Sequence, residues 1–158
     1  MGHYEKTFSF AVDDDVDDAT KGVREFLELN GYSLNDEGDH RLIAKRGKPG
    51  ASWFSSDMSR LETQLTIEFD GNQVDLDYRV TVTGQHLTDE DRQFWEREAQ
   101  AIERATNREE PAVDLRPEEA ERAKQVTGEY RSTAVWAAFI VFAMIIVFGL
   151  VADRLGIL

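Results

Sequence analysis

A chain of 158 residues has room for about one domain. This one contains no cysteine, which excludes a disulfide scaffold, a cysteine zinc site and thiol catalysis. With 31 acidic against 18 basic side chains its formal charge is -13, the wrong sign for affinity built on phosphate contacts, so nucleic-acid binding is disfavoured.

The first element is a strand from Tyr4 to Val12, where Phe8, Phe10 and Val12 alternate with polar residues and so share one face. The acidic run Asp13 to Asp18 ends it and leads into a helix. There Val16, Ala19, Val23, Phe26 and Leu27 recur at helical spacing, aspartates sit at the positive end of the dipole, and Asn30-Gly31 is the stop. Two short strands follow, Tyr32 to Asn35 and Arg41 to Arg46, joined by the polar turn Asp36-Glu37-Gly38-Asp39. Leu61 to Val82 then reads as a hairpin: Thr63, Leu65, Ile67 and Phe69 alternate before Asp70-Gly71-Asn72, and Val74, Leu76, Tyr78, Val80 and Val82 alternate after it. Thr88-Asp89-Glu90-Asp91 has the form of a capping box with Asp in place of Glu. It opens a second helix through Asn107, with Phe94, Trp95, Ala99, Ile102 and Ala105 as its apolar stripe.

The order is strand, helix, four strands, helix (β-α-β-β-β-β-α), which predicts an α+β fold: an antiparallel sheet with both helices on its apolar face. Over residues 4 to 107 this order resembles the β-α-β4-α topology of the TATA-binding-like and related helix-on-sheet folds. Folds of that shape host lipid carriers, nucleic-acid binders and plain scaffolds, so the resemblance implies an architecture and no activity.

Glu109-Glu110-Pro111 breaks the second helix, and Arg116-Pro117-Glu118-Glu119 has the form of a fresh helix start. Charged residues dominate from Glu118 to Arg131. From Ala134 to Ala152 the sequence AVWAAFIVFAMIIVFGLVA runs 19 residues without a charge. As a helix it spans roughly 28 Å, close to the ~30 Å hydrocarbon core, so it predicts a single transmembrane helix. Trp136 belongs at the interface, and Ala134, Ala138 and Gly149 supply close-approach positions for neighbouring helices. The expected organisation is a soluble head over 1–107, a charged juxtamembrane segment over 108–132, the membrane helix over 133–152 and a short tail over 153–158.

Upstream of the span lie Arg116, Arg122, Lys124 and Arg131; downstream lies Arg154. The basic excess places the N-terminal side in the cytoplasm. MGHYEKTFSF has neither the basic nor the apolar part of a signal peptide, and Lys6 stands where the myristoylation pattern needs Ser or Thr. The expectation is a tail-anchored, single-pass membrane protein with a cytoplasmic head.

No chemistry-bearing constellation emerges. An EF-hand beginning at Asp13 needs Gly at its sixth position and Glu at its twelfth, which here are Asp18 and Arg24. His3, His40 and His86 lack paired ligand spacing, and Gly47-Lys48-Pro49-Gly50 lacks the order of a phosphate loop. The expectation is therefore a non-enzyme with no cofactor and no metal. One segment stands apart: Arg41, Lys45, Arg46 and Lys48 precede Trp53 and Phe54, two large aromatics that either fold back onto the sheet edge as a local lid or, since basic residues beside large aromatics suit a headgroup interface, dock against a membrane surface or a membrane complex. The chain reads as an accessory subunit of a larger membrane complex of respiratory or photosynthetic type, its partners the bilayer and other subunits. The alternative is a membrane-tethered module that encloses a lipid or other apolar ligand between sheet and helices, with residues 47–60 as its mouth.

Overall fold

The computed structural model describes residues 2–13, 15–36, 38, 40–50, 56–82 and 86–127. Its elements are β1 (Gly2–Ala11), α1 (Val16–Leu29), β2 (Ser33–Asp36), β3 (Arg41–Arg46), a 3-10 turn (Met58–Arg60), β4 (Thr63–Asp70), β5 (Gln73–Val82) and α2 (Asp89–Thr106). A further helix, α3, occupies residues 116–127. The five strands form one antiparallel sheet in the order β1-β5-β4-β3-β2. β2 to β5 are thus a meander, and β1 closes it on the β5 side.

Register explains which face is dry. Phe8 pairs with Leu76, Leu76 with Ile67, and Ile67 with Leu42, while Tyr78, Leu65 and Ala44 form the adjacent row. These residues enter one core with Ala19, Val23, Phe26 and Leu27 of α1 and with Phe94, Trp95, Ala99 and Ile102 of α2. The opposite face carries short polar side chains: the Thr7 hydroxyl donates to Asp77 and that of Ser9 to Asp75, each at 2.6 Å.

Both helices begin as their sequences dictate. The Asp15 side chain accepts the Asp17 amide at the start of α1, and Thr88 and Asp91 form a reciprocal capping box at the start of α2. The helices cross closely at Gly22, where a Cβ would stand 2.6 Å from the Ala105 carbonyl oxygen.

The segment after α2 departs from expectation. The compact unit that holds the sheet runs from Met1 to Arg122, and the chain from Ala123 onward forms a second unit. The head therefore continues past residue 107, because buried Asn30 clamps the connection. Its amide donates to the Phe26 and Val113 carbonyls, each at 2.9 Å, and its carbonyl oxygen accepts the Leu115 amide at 2.9 Å. An asparagine that ends a helix thus also fastens a segment 83 residues away. The predicted membrane span, with Ala134, Trp136, Ala138 and Gly149, lies outside the described residues. Among the described residues no helix is long and apolar enough to cross a membrane.

Candidate functional site

β3 alternates, so Arg41, Ile43 and Lys45 face one way and Leu42, Ala44 and Arg46 the other. The row Tyr4–Val80–Thr63–Arg46 ends under α2. There the Arg46 guanidinium meets the Glu98 carboxylate, with Nη1–Oε1 at 2.5 Å and Nη2–Oε2 at 3.4 Å. Their side chains are 4% and 0% exposed. The Tyr32 hydroxyl donates to the second carboxylate oxygen at 2.9 Å. The guanidinium stacks 4.3 Å from the centre of the Tyr32 ring and 5.4 Å from that of Phe94. Burial alone would lower the pKa of Arg46, but Glu98, together with the Tyr32 and Tyr78 phenols, more than reverses this, so the cation is held more firmly than in water. Burial also pushes the Tyr32 and Tyr78 phenols well above their ordinary range. The buried Arg46 Nε, Tyr78 hydroxyl and Trp95 indole N–H make no hydrogen bond.

This arrangement corrects the grouping of Arg46 with exposed docking cations. Its even position in β3 directs it into the core, where it is 6% exposed. Two sequence features carry the signal: Arg46 has the inward parity of Leu42 and Ala44, and Glu98 follows Phe94 by four positions on the apolar stripe of α2. Arg41 and Lys45 do lie exposed on the polar face, with Arg41 paired to Glu68 at 3.2 Å. Lys48 is exposed beyond the strand. Trp53 and Phe54 lie outside the described residues.

A groove of about 1000 Å³ opens beside the buried pair, with Lys48, Arg60 and Arg116 as its cations and Asp57 and Asp114 as its carboxylates. Gly47 forms part of its wall at φ +85, where a Cβ would stand 2.1 Å from the Leu61 carbonyl oxygen. Arg116 donates to both oxygens of Asp114 and to the Leu29 carbonyl. Its hydrogen bonding holds the Asp114 carboxyl below the usual carboxylate range.

Sequence reasoning also missed a second polar cluster. Glu119, 1% exposed, accepts the Met58 amide at 3.1 Å and binds Arg122 through both oxygens. Arg122 reaches across to Asp91, the capping residue of α2, at 3.0 Å. One carboxylate thus caps α2 and ties the start of α3 to it. These charges resemble any solvated i,i+3 pair in one dimension, and only docking of α3 buries them. Among the described residues no group of three or more His, Asp or Glu side chains is placed to hold a metal ion. No family model matches the sequence, and no curated protein matches it.

Proposed function

We propose that this chain is a non-catalytic, single-pass accessory subunit of a larger membrane protein complex, of respiratory or photosynthetic type, with its acidic head on the cytoplasmic face. The observation that carries the reading is the 19-residue uncharged run from Ala134 to Ala152, long enough to cross a bilayer as a helix. Arg116, Arg122, Lys124 and Arg131 upstream of it support the orientation. Ala134, Ala138 and Gly149 provide the small positions that helix packing within a complex uses, and Trp136 suits the interface.

The head's two polar clusters are internally matched ion pairs that order a scaffold; a stable scaffold is what an accessory role requires. Exposed Arg41, Lys45 and Lys48, with Trp53 and Phe54, are the proposed docking residues. The lipid-carrier alternative has less support. Among the described residues, the side chains between sheet and helices include Trp95, Tyr78, Phe26, Phe94 and Leu27, each under 2% exposed, and such close packing favours the scaffold reading over an enclosed apolar ligand.

Extraction in mild detergent tests the proposal. A stoichiometric set of membrane subunits retained with the full chain supports it; a chain extracted alone, or recovered without detergent, refutes it. Protease added to sealed inside-out vesicles should digest the head, and protection would reverse the orientation.

A further inference from the structure

The two edges of the sheet are unlike. β2 is a four-residue edge, too short to template much pairing, whereas β1 presents ten residues in unbroken register from Gly2–Val82 to Ala11–Gln73, with neither proline nor bulge. Long, flat edges are ordinarily blunted or covered. The outward side of β1 can be read from its bonds. The Val12 amide donates to Asn72, so even-numbered residues bond to β5 and odd-numbered ones turn their N–H and C=O groups to the open edge. Asn107 caps the Ala11 carbonyl at one end. Among the described residues nothing pairs with the outward groups of His3, Glu5, Thr7 and Ser9. On the core face of this edge Tyr4 and Phe8 remain only partly buried, an aromatic fringe that the head's own helices do not cover.

We propose that this edge is a dimerisation surface for a second copy of the chain, with β1 pairing antiparallel to β1 about a two-fold axis at Thr7. The axis is selected by charge. Centring on Glu5 sets two carboxylates opposite each other and centring on Lys6 sets two ammonium groups opposite each other, both unfavourable. Centring on Phe8 shortens the overlap to residues 5–11, against 3–11 for an axis at Thr7, and so gives up the outward groups of His3. Centring on Thr7 sets Glu5 opposite Ser9 of the second copy at bonded positions. At the closer non-bonded positions it sets Lys6 opposite Phe8 and Tyr4 opposite Phe10. Lys6 already lies 5.6 Å from the centre of its own Phe8 ring, so this register extends an existing cation–π contact across the axis. A lysine that deters pairing when it meets its twin is accommodated here by an aromatic face. The sheets of the two copies become one, an isologous contact that closes after two subunits. The proposal stands apart from the membrane assignment, since it rests on head residues alone.

The test uses the full chain in mild detergent, with mass measured by light scattering over a range of concentrations. A dimer is expected. Thr7→Pro removes an outward N–H without touching the ladder to β5, and should weaken dimerisation at least tenfold while circular dichroism stays unchanged. Glu5→Pro serves the same purpose should Thr7→Pro misfold. Because the chain has no cysteine, Thr7→Cys should give a disulfide-linked dimer on mild oxidation. Glu5→Cys mixed with Ser9→Cys should cross-link where neither does alone, and Thr66→Cys on the central strand should not. A monomer at every concentration overturns the proposal. So does a dimer indifferent to both proline variants, which would place the contact elsewhere, and so does cross-linking that ignores register.

Discussion

Arg46 and Glu98, 52 residues apart in sequence, form a salt bridge in the core with side chains 4% and 0% exposed. Two charges so placed are costly to desolvate, and the pair is tolerated because the two terminal guanidinium nitrogens and the Tyr32 hydroxyl converge on one carboxylate. Glu98→Ala would strand a buried cation and is expected to cost about 3–5 kcal/mol of stability. The double variant Arg46→Met/Glu98→Leu should recover much of that loss, since it removes both charges and keeps the volume. Denaturant unfolding of the three proteins checks this, and equal losses in the single and double variants would refute the pair's assigned role.

Alkaline titration probes the same cluster from the tyrosine side. Burial raises the pKa of Tyr32 and Tyr78 well above 10 in the folded state. A group whose folded pKa is raised contributes stability that is complete below the unfolded pKa and is lost as pH rises toward the folded one. Stability should therefore hold up to about pH 10 and fall above it. Tyrosinate absorbance should show Tyr32 and Tyr78 ionising only as the head unfolds. Early, non-cooperative titration of both phenols would contradict their burial.

The clamp at Asn30 predicts where the folded head ends. A fragment of residues 1–110 keeps both apolar faces but lacks Val113, Leu115, Glu119 and Arg122. It leaves the Asn30 side chain and the Met58 amide without partners they hold in the whole chain. Unpaired buried groups cost about 1–3 kcal/mol each, so a fragment of residues 1–127 should unfold at a clearly higher denaturant concentration. Coincident unfolding curves would mean that the connection merely rests on the head.

Asn30→Ala should reproduce part of that loss in the intact chain, by about 1–3 kcal/mol. It should also make residues 108–115 a site of fast proteolysis, because their amides and carbonyls lose their anchor. Cleavage at the wild-type rate would show that Glu119 and Arg122 hold the segment unaided.

At Gly22 two tendencies oppose each other. Alanine improves intrinsic helix propensity by about 1 kcal/mol, yet its Cβ would lie 2.6 Å from a backbone oxygen of α2. The clash should prevail, because a packed helix pair must separate to relieve it. Gly22→Ala is expected to destabilise the head by about 1–3 kcal/mol, measured by thermal or denaturant unfolding, and a stabilised variant would show that the crossing is loose.

What the sequence determined by itself was local. Alternation in 4–12 and 61–82 gave the strands, the 3.6-residue period gave α1 and α2, and Thr88 with Asp91 gave the cap, because each depends on neighbours a few residues apart. The order of elements sufficed for an antiparallel α+β fold, since connections of a few residues join β2 to β3 and β4 to β5; that β1 pairs with β5 was decided by the tertiary structure. Tertiary structure decided the partnerships. Arg46 looked like one more surface cation until strand parity and the docking of α2 brought it to Glu98. Glu119 and Arg122 looked like a solvated pair until α3 carried them against Asp91 and Met58. A charge in one dimension has the same appearance whether it meets water or a buried counter-ion, and only packing distinguishes the two.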